Sequence, residues 1–129
     1  MLEKRRAIAR AYNTGFSQFP HFQLPYDNPS HRHAWHLYML RLNLDMLAID
    51  RALFVEELRK RHIGVSVHFI PLHTHPYYRQ LYGCKPEDFP VAYREYMREI
   101  SLPIYSKMTE NDVEDVIDAV VDVLMQFGR

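Results

Sequence analysis

Three histidines and two adjacent tyrosines share one short stretch, Val65 to Arg79, which reads V-S-V-H-F-I-P-L-H-T-H-P-Y-Y-R. The stretch opens as an apolar, strand-like run and then passes into a loop punctuated by Pro71 and Pro76. Strand ends that spill into polar, ring-rich loops are where open α/β sheets place ligand chemistry. Imidazole and phenol groups can bind a metal or hydrogen-bond a polar ligand. No lysine, acid or glycine loop in the sequence completes an obvious catalytic set with them.

Metal chemistry is the first possibility. His31, His33 and His36 form one cluster, and His68, His73 and His75 another. A catalytic zinc needs three protein ligands and an open position. The spacing H-x4-H-x-H matches no compact helical or knuckle geometry, and no cysteine pair lies nearby. Surface and ring-packed histidines explain both clusters more simply. Nucleophilic catalysis has less to stand on. Cys84 lies between Gly83 and Lys85 without a sequence-adjacent histidine, and Ser66 and Ser101 lack the glycine-flanked elbow of a nucleophilic serine. The glycines at 15, 64, 83 and 128 are scattered singly, which gives a phosphate-cradling loop no support. Arg59-Lys60-Arg61-His62 reads as the carboxyl end of a helix, complementing its dipole, and not as a nucleic-acid patch. On residues alone, a His68 satisfied within the core and tyrosines packed at a sheet edge is the simpler reading of the opening stretch.

The bulk properties narrow the class. At 129 residues the chain suits one domain, and sixteen basic residues balance sixteen acidic ones. No net field draws it to nucleic acid or to an anionic membrane. A single cysteine rules out an internal disulfide framework and fits a reducing, cytoplasmic compartment. No apolar run approaches the ~18 residues of a membrane span, and no signal peptide is apparent.

Several elements must hold the stretch in place. Residues 2–13 form helix, with Ile8 and Tyr12 on a thin apolar stripe and a stop at Asn13-Thr14-Gly15. Residues 16–32, with prolines at 20, 25 and 29, form an extended loop. Residues 33–43 alternate as a central strand that is apolar on both faces. Asp50 caps a helix to about Arg61, with Leu53, Phe54 and Leu58 inward and Glu56, Glu57, Lys60 and Arg61 outward. Residues 65–69 form a short strand, 76–81 a helical turn ended by Gly83, and Asp88 with Pro90 opens a helix to Glu99. Residues 100–105 form a strand in which Pro103 must sit at an edge or end. Thr109 and Asp112 form a capping box for a last helix with Val113, Val116, Ile117, Val120 and Leu124 inward. The order describes a small α/β protein, an α+β sandwich with helices packed on a three- or four-stranded sheet.

Ordered blocks along nearly the whole chain carry a family resemblance. They are R-R-x-I-A-x-x-Y (Arg5–Tyr12), H-x-Y-x-x-R-L (His36–Leu42), H-I-G-V-S-V-H-F-I-P-L-H (His62–His73), P-Y-Y-R (Pro76–Arg79), D-F-P-V-A (Asp88–Ala92) and S-L-P-I-Y-S-K-M-T (Ser101–Thr109). Their succession resembles the final third of sugar aminotransferases of the DegT/DnrJ/StrS type. The resemblance implies the small C-terminal domain of a pyridoxal-phosphate enzyme, its three- or four-stranded sheet mostly antiparallel, with residues 1–15 a connector helix and 16–129 the domain itself. It implies that an N-terminal domain, absent here, holds the cofactor and its Schiff-base lysine, and that Lys4, Lys60, Lys85 and Lys107 do not serve that role. No cofactor is then expected on this chain alone, and no activity. In the intact enzyme, a homodimer, the substrate would be a keto-sugar on a nucleotide, for polysaccharide, lipopolysaccharide or antibiotic sugar synthesis. His68, His73, Tyr77 and Tyr78 would line or support the substrate-binding wall. Two departures stand out: His62 occupies the usual glycine position before Ile63, and Phe69 replaces a common tyrosine. A stand-alone sugar-nucleotide module and a histidine-rich metal hydrolase remain the alternatives.

Overall fold

Tyr38, Leu40 and Leu42 are fully buried while Met39 and Arg41 between them are half-buried, and this alternation organises the protein. A computed structural model describes residues 1–129. Its strands are β1 (Phe22–Gln23), β2 (Tyr38–Leu42) and β3 (Glu99–Leu102), and its helices are α1 (Leu2–Phe16), α2 (Arg51–Lys60), α3 (Pro76–Tyr82), α4 (Pro90–Arg98) and α5 (Glu110–Phe127). The sheet runs β1-β2-β3, antiparallel throughout, with Tyr38 opposite Leu102, Leu40 opposite Ile100 and Phe22 opposite Leu42. Facing partners share a side of the sheet. One side therefore gathers Phe22, Tyr38, Leu40, Leu42, Ile100 and Leu102 into the core, against α1, α2 and α5. The other side carries Gln23, Met39, Arg41, Glu99 and Ser101, and α4 reaches it through Glu95. The small antiparallel sheet with packed helices is the architecture the sequence implies.

Rings and caps fix the core side. Tyr12 and Tyr38 meet edge to face at 4.9 Å. Tyr12 donates to the carbonyl of Pro103 at 2.7 Å, and Tyr38 donates to Asn13 Oδ1 at 2.7 Å. Burial pushes both phenols well above the ordinary tyrosine range. Asp50 caps α2 by accepting from the Leu53 N–H at 2.8 Å, and Thr109 with Asp112 closes a reciprocal capping box on α5.

Several expectations shift. The first helix does not stop at Asn13-Thr14-Gly15 but runs to Phe16, and it buries Ile8, Ala9, Tyr12 and Phe16. Gly15 is a contact residue instead of a terminator: a Cβ there would lie 2.9 Å from Ile117 Cγ2 on α5. The loop after α1 contains β1, and the central strand is shortened to 38–42 because Trp35, with φ 48°, turns inward ahead of it. On α2, Leu53 is exposed, whereas Glu57 is buried and held by Lys60 at 2.6 Å and Arg61 at 3.1 Å. Residues 65–69 are not a strand. Their backbone pairs with the sheet through one bridge, Ser66 to Ser101, since β3 is only four residues long and Pro103 beyond it has no N–H to offer. Asp88 caps a preceding 3-10 turn, while Phe89 stands at the start of α4. His62 adopts the left-handed conformation, φ 63°, that a glycine would usually fill.

Gly15 gives a direct test of the α1–α5 contact. In an exposed helix, Gly→Ala stabilises by about 1 kcal/mol. Overpacking at a tight contact costs about 1–3 kcal/mol. Gly15→Ala should therefore lose up to about 2 kcal/mol net in denaturant unfolding, and a gain would mean that the helices do not meet there.

Candidate functional site

Glu99 and Ser101 alternate with Ile100 and Leu102, so placing the apolar pair in the core turns the polar pair to the opposite side. Both polar residues are nevertheless buried, 7% and 4% exposed. Residues 66–68 lie along them. Ser66 and Ser101 exchange backbone hydrogen bonds at 3.2 and 2.7 Å. The backbone N–H of His68 donates to Glu99 Oε1 at 3.0 Å, and the His68 ring meets Ser101 Oγ through Nδ1 at 2.9 Å. His68 is thus fixed by main chain and by ring, with the rest of the imidazole half-exposed.

Charge on this side is concentrated around two glutamates with opposite behaviour. Burial opposes ionisation of Glu95, but Arg98 hydrogen bonds and the charges of Arg98, Arg41 and Arg94 prevail and hold its carboxyl below the ordinary range. Arg41 lies 3.1 Å and Arg98 2.9 Å from it. Glu99 accepts one backbone N–H and has no ion pair within contact distance. Burial pushes its carboxyl above the ordinary range, and the His68 N–H and the more distant Arg51 and Arg41 only partly offset this. Arg51 is itself engaged, donating to the Tyr96 carbonyl at 3.0 Å with its guanidinium 4.7 Å over the Tyr96 ring.

Beyond His68 the chain leaves the sheet as an arm. Phe69 is 77% exposed, and α3 buries no residue. Tyr77 is exposed, and Tyr78 is half-buried between it and Tyr82, with ring centroids at 5.2 and 6.4 Å. His73 sits differently, buried in a 3-10 turn beside the Phe89 ring at 4.8 Å, with its Nε2 unpartnered. The four candidate residues therefore lie along one segment but in three settings: His68 anchored to β3, His73 inside the arm, and Tyr77 and Tyr78 on α3.

An acid does reach this stretch, since Glu99 accepts the His68 backbone N–H across 31 positions, a contact to the main chain and not to a side chain that could do chemistry with it. Glu99 and Ser101 were the residues to miss. The alternation E-I-S-L held the signal, but a strand begun at Ile100 leaves Glu99 at a helix end. The histidine clusters do not assemble: His33 Nδ1 accepts from the Trp35 N–H at 2.9 Å, and no three metal-ligating side chains gather anywhere in the protein. The hydrolase alternative has no ligand set to rest on. No helix is long and apolar enough to cross a membrane.

The raised carboxyl of Glu99 makes a signed prediction. A group whose folded pKa is raised stabilises the fold below its unfolded pKa, and that contribution disappears as pH rises through the folded value. Ionised Glu99 is then a liability at neutral pH. Glu99→Gln keeps the acceptor for the His68 N–H, so it should melt higher than the parent at pH 7, with the difference shrinking in acid below the carboxylate range. An unchanged difference across pH in thermal scans would show that Glu99 is not strained.

The comparisons with known proteins bear on the whole chain. A family model described as the DegT/DnrJ/EryC1/StrS aminotransferase family matches residues 1–121. The uncharacterized protein MJ1066 of Methanocaldococcus jannaschii is 50% identical over 98% of this chain and 33% of its own length. The spore coat polysaccharide biosynthesis protein SpsC of Bacillus subtilis is 43% identical over 96% of this chain and 32% of its own. Among solved structures, Spr1654 of Streptococcus pneumoniae, named as a sugar aminotransferase and solved in a PMP form, superposes with a TM-score of 0.85 at 27% identity, covering 98% of this chain and 31% of that one. The chain thus spans about a third of the length of the relatives it matches. With the matched residues running from α1 into α5, the chain belongs to the DegT/DnrJ/EryC1/StrS aminotransferase family.

Proposed function

We propose that this chain is the small C-terminal domain of a pyridoxal-phosphate-dependent aminotransferase acting on a nucleotide-linked keto-sugar, with residues 1–15 its connector and 16–129 its body. Its task is to wall the substrate side of a site whose cofactor is held elsewhere. The observation that carries this reading, within the family assignment, is the exposed ring-bearing arm that leaves β3 at His68. His68 and Tyr77 present imidazole and phenol groups to solvent. Such groups hydrogen-bond sugar hydroxyls and phosphates while offering stacking faces. Tyr78 backs Tyr77, and His73 braces the arm from within. The polysaccharide role in the name of SpsC and the PMP form of Spr1654 support the substrate class and the cofactor.

The residues present do not make a pyridoxal phosphate cradle. That cofactor needs a sheltered lysine amine with an acid beside its ring nitrogen. Lys4, Lys60, Lys85 and Lys107 are all exposed, and Glu57 grips the ammonium of Lys60 and raises its pKa. A protonated, ion-paired amine is a poor nucleophile. In this reading the Schiff-base lysine belongs to an N-terminal domain outside these residues, and the complete enzyme works as a homodimer.

Two measurements test the proposal. Incubated with pyridoxal phosphate, reduced with borohydride and analysed by mass spectrometry, the chain should retain no stoichiometric label on any lysine; a single labelled site would overturn it. Supplied with a cofactor-holding domain in trans or by fusion, it should support amino transfer to a nucleotide keto-sugar. In that enzyme His68→Ala and Tyr77→Phe should each lower kcat/KM about tenfold, the equivalent of one lost hydrogen bond worth about 1.4 kcal/mol. Unchanged kinetics in both variants would remove them from the substrate wall.

A further inference from the structure

The imidazole of His68 has two possible neutral forms, and its surroundings choose between them. Ser101 Oγ is buried, and its only partner is His68 Nδ1 at 2.9 Å. If Nδ1 carried the proton, it would donate to Oγ, and the serine hydroxyl proton would be left buried without an acceptor. An unsatisfied buried donor costs about 1–3 kcal/mol. If instead the hydroxyl donates to an unprotonated Nδ1, the proton is satisfied and only an oxygen lone pair goes unused. The second arrangement wins. The ring proton then sits on Nε2, the nitrogen with no partner in the protein.

A tautomer is useful only if the ring cannot swing away. Glu99 Oε1 holds the His68 N–H at 3.0 Å, and the paired backbones of Ser66 and Ser101 fix the chain two residues earlier. Glu99 and Ser101 are two apart on β3, so they grip the same segment from one side of the strand. The main chain and Nδ1, the ring nitrogen nearer to it, are both anchored immediately before the arm begins.

Resting on the reading of His68 as a substrate-wall residue, we propose that Ser101 and Glu99 are positioning residues that set His68 as the Nε2–H tautomer. His68 then enters the site as a hydrogen-bond donor, and the ligand atom it meets is an oxygen acceptor. A hydrogen bond at one ring nitrogen that decides which nitrogen of a histidine carries the proton is a general device.

The test is long-range 1H–15N correlation spectroscopy on the 129-residue chain in alkaline buffer. The expected His68 pattern is an unprotonated Nδ1 with the proton on Nε2. Ser101→Ala should return the ring to averaging between tautomers, and Ser101→Thr should restore the parent pattern. Backbone amide spectra identify any variant that has lost the fold. A protonated Nδ1 in the parent overturns the proposal without recourse to a variant, as does a folded Ser101→Ala that keeps the parent pattern. None of these outcomes depends on amino transfer, so failure of the tautomer assignment and failure of the aminotransferase reading are separately visible.

Discussion

The pairing of β2 with β3 positions the rest of the protein, because side chains alternate along a strand and one register decides both faces together. Setting Leu40 against Ile100 and Tyr38 against Leu102 gives α1, α2 and α5 an apolar surface to cover. The same register sets Met39 against Ser101 and Arg41 against Glu99 on the reverse. A slip of one residue would drive Glu99 and Ser101 into the core and turn Ile100 and Leu102 outward. The core and the candidate site are therefore two sides of one decision.

Elements with strong local grammar were legible in the sequence. Asp50, and Thr109 with Asp112, cap the helices as their spacing implies, and α5 carries its apolar stripe inward, with Ile117 half-buried against Gly15. Where reading failed, a tertiary contact had overridden a local signal. Gly15 resembles a stop but serves as the gap into which Ile117 fits. Glu57 resembles an outward acid but is drawn in by Arg61, itself pinned by the Gln126 amide of α5 at 2.9 Å. Val65 to Phe69 alternate as a strand would, yet β3 offers them a single bridge. Of the candidate site, the sequence showed the rings and concealed the acid and hydroxyl that hold His68, since nothing local ties residue 99 to residue 68.

The two glutamates of the reverse face show how neighbours decide the state of a carboxylate. Glu95 sits among Arg41, Arg94 and Arg98, and their attraction exceeds the cost of removing it from water. Glu99, nearby on the same chain, receives a backbone amide and only remote positive charge, so burial dominates. One is a structural tie. The other holds the backbone of the candidate residue His68 at some expense in stability.

The arm has a thermodynamic consequence. Phe69, Leu72, Tyr77, Leu81, Tyr82 and Phe89 are all at least half-exposed, and only 26 of 129 residues are buried. Unfolding changes heat capacity chiefly by wetting apolar surface, at roughly 12–15 cal/mol/K per residue in ordinary domains. Here much of that surface is wet beforehand. The heat-capacity increment of unfolding for the isolated chain therefore falls below what its length implies, and its stability curve is correspondingly flat. The missing increment is latent in the arm, where any surface that dehydrates those rings would release it as a negative heat capacity of binding.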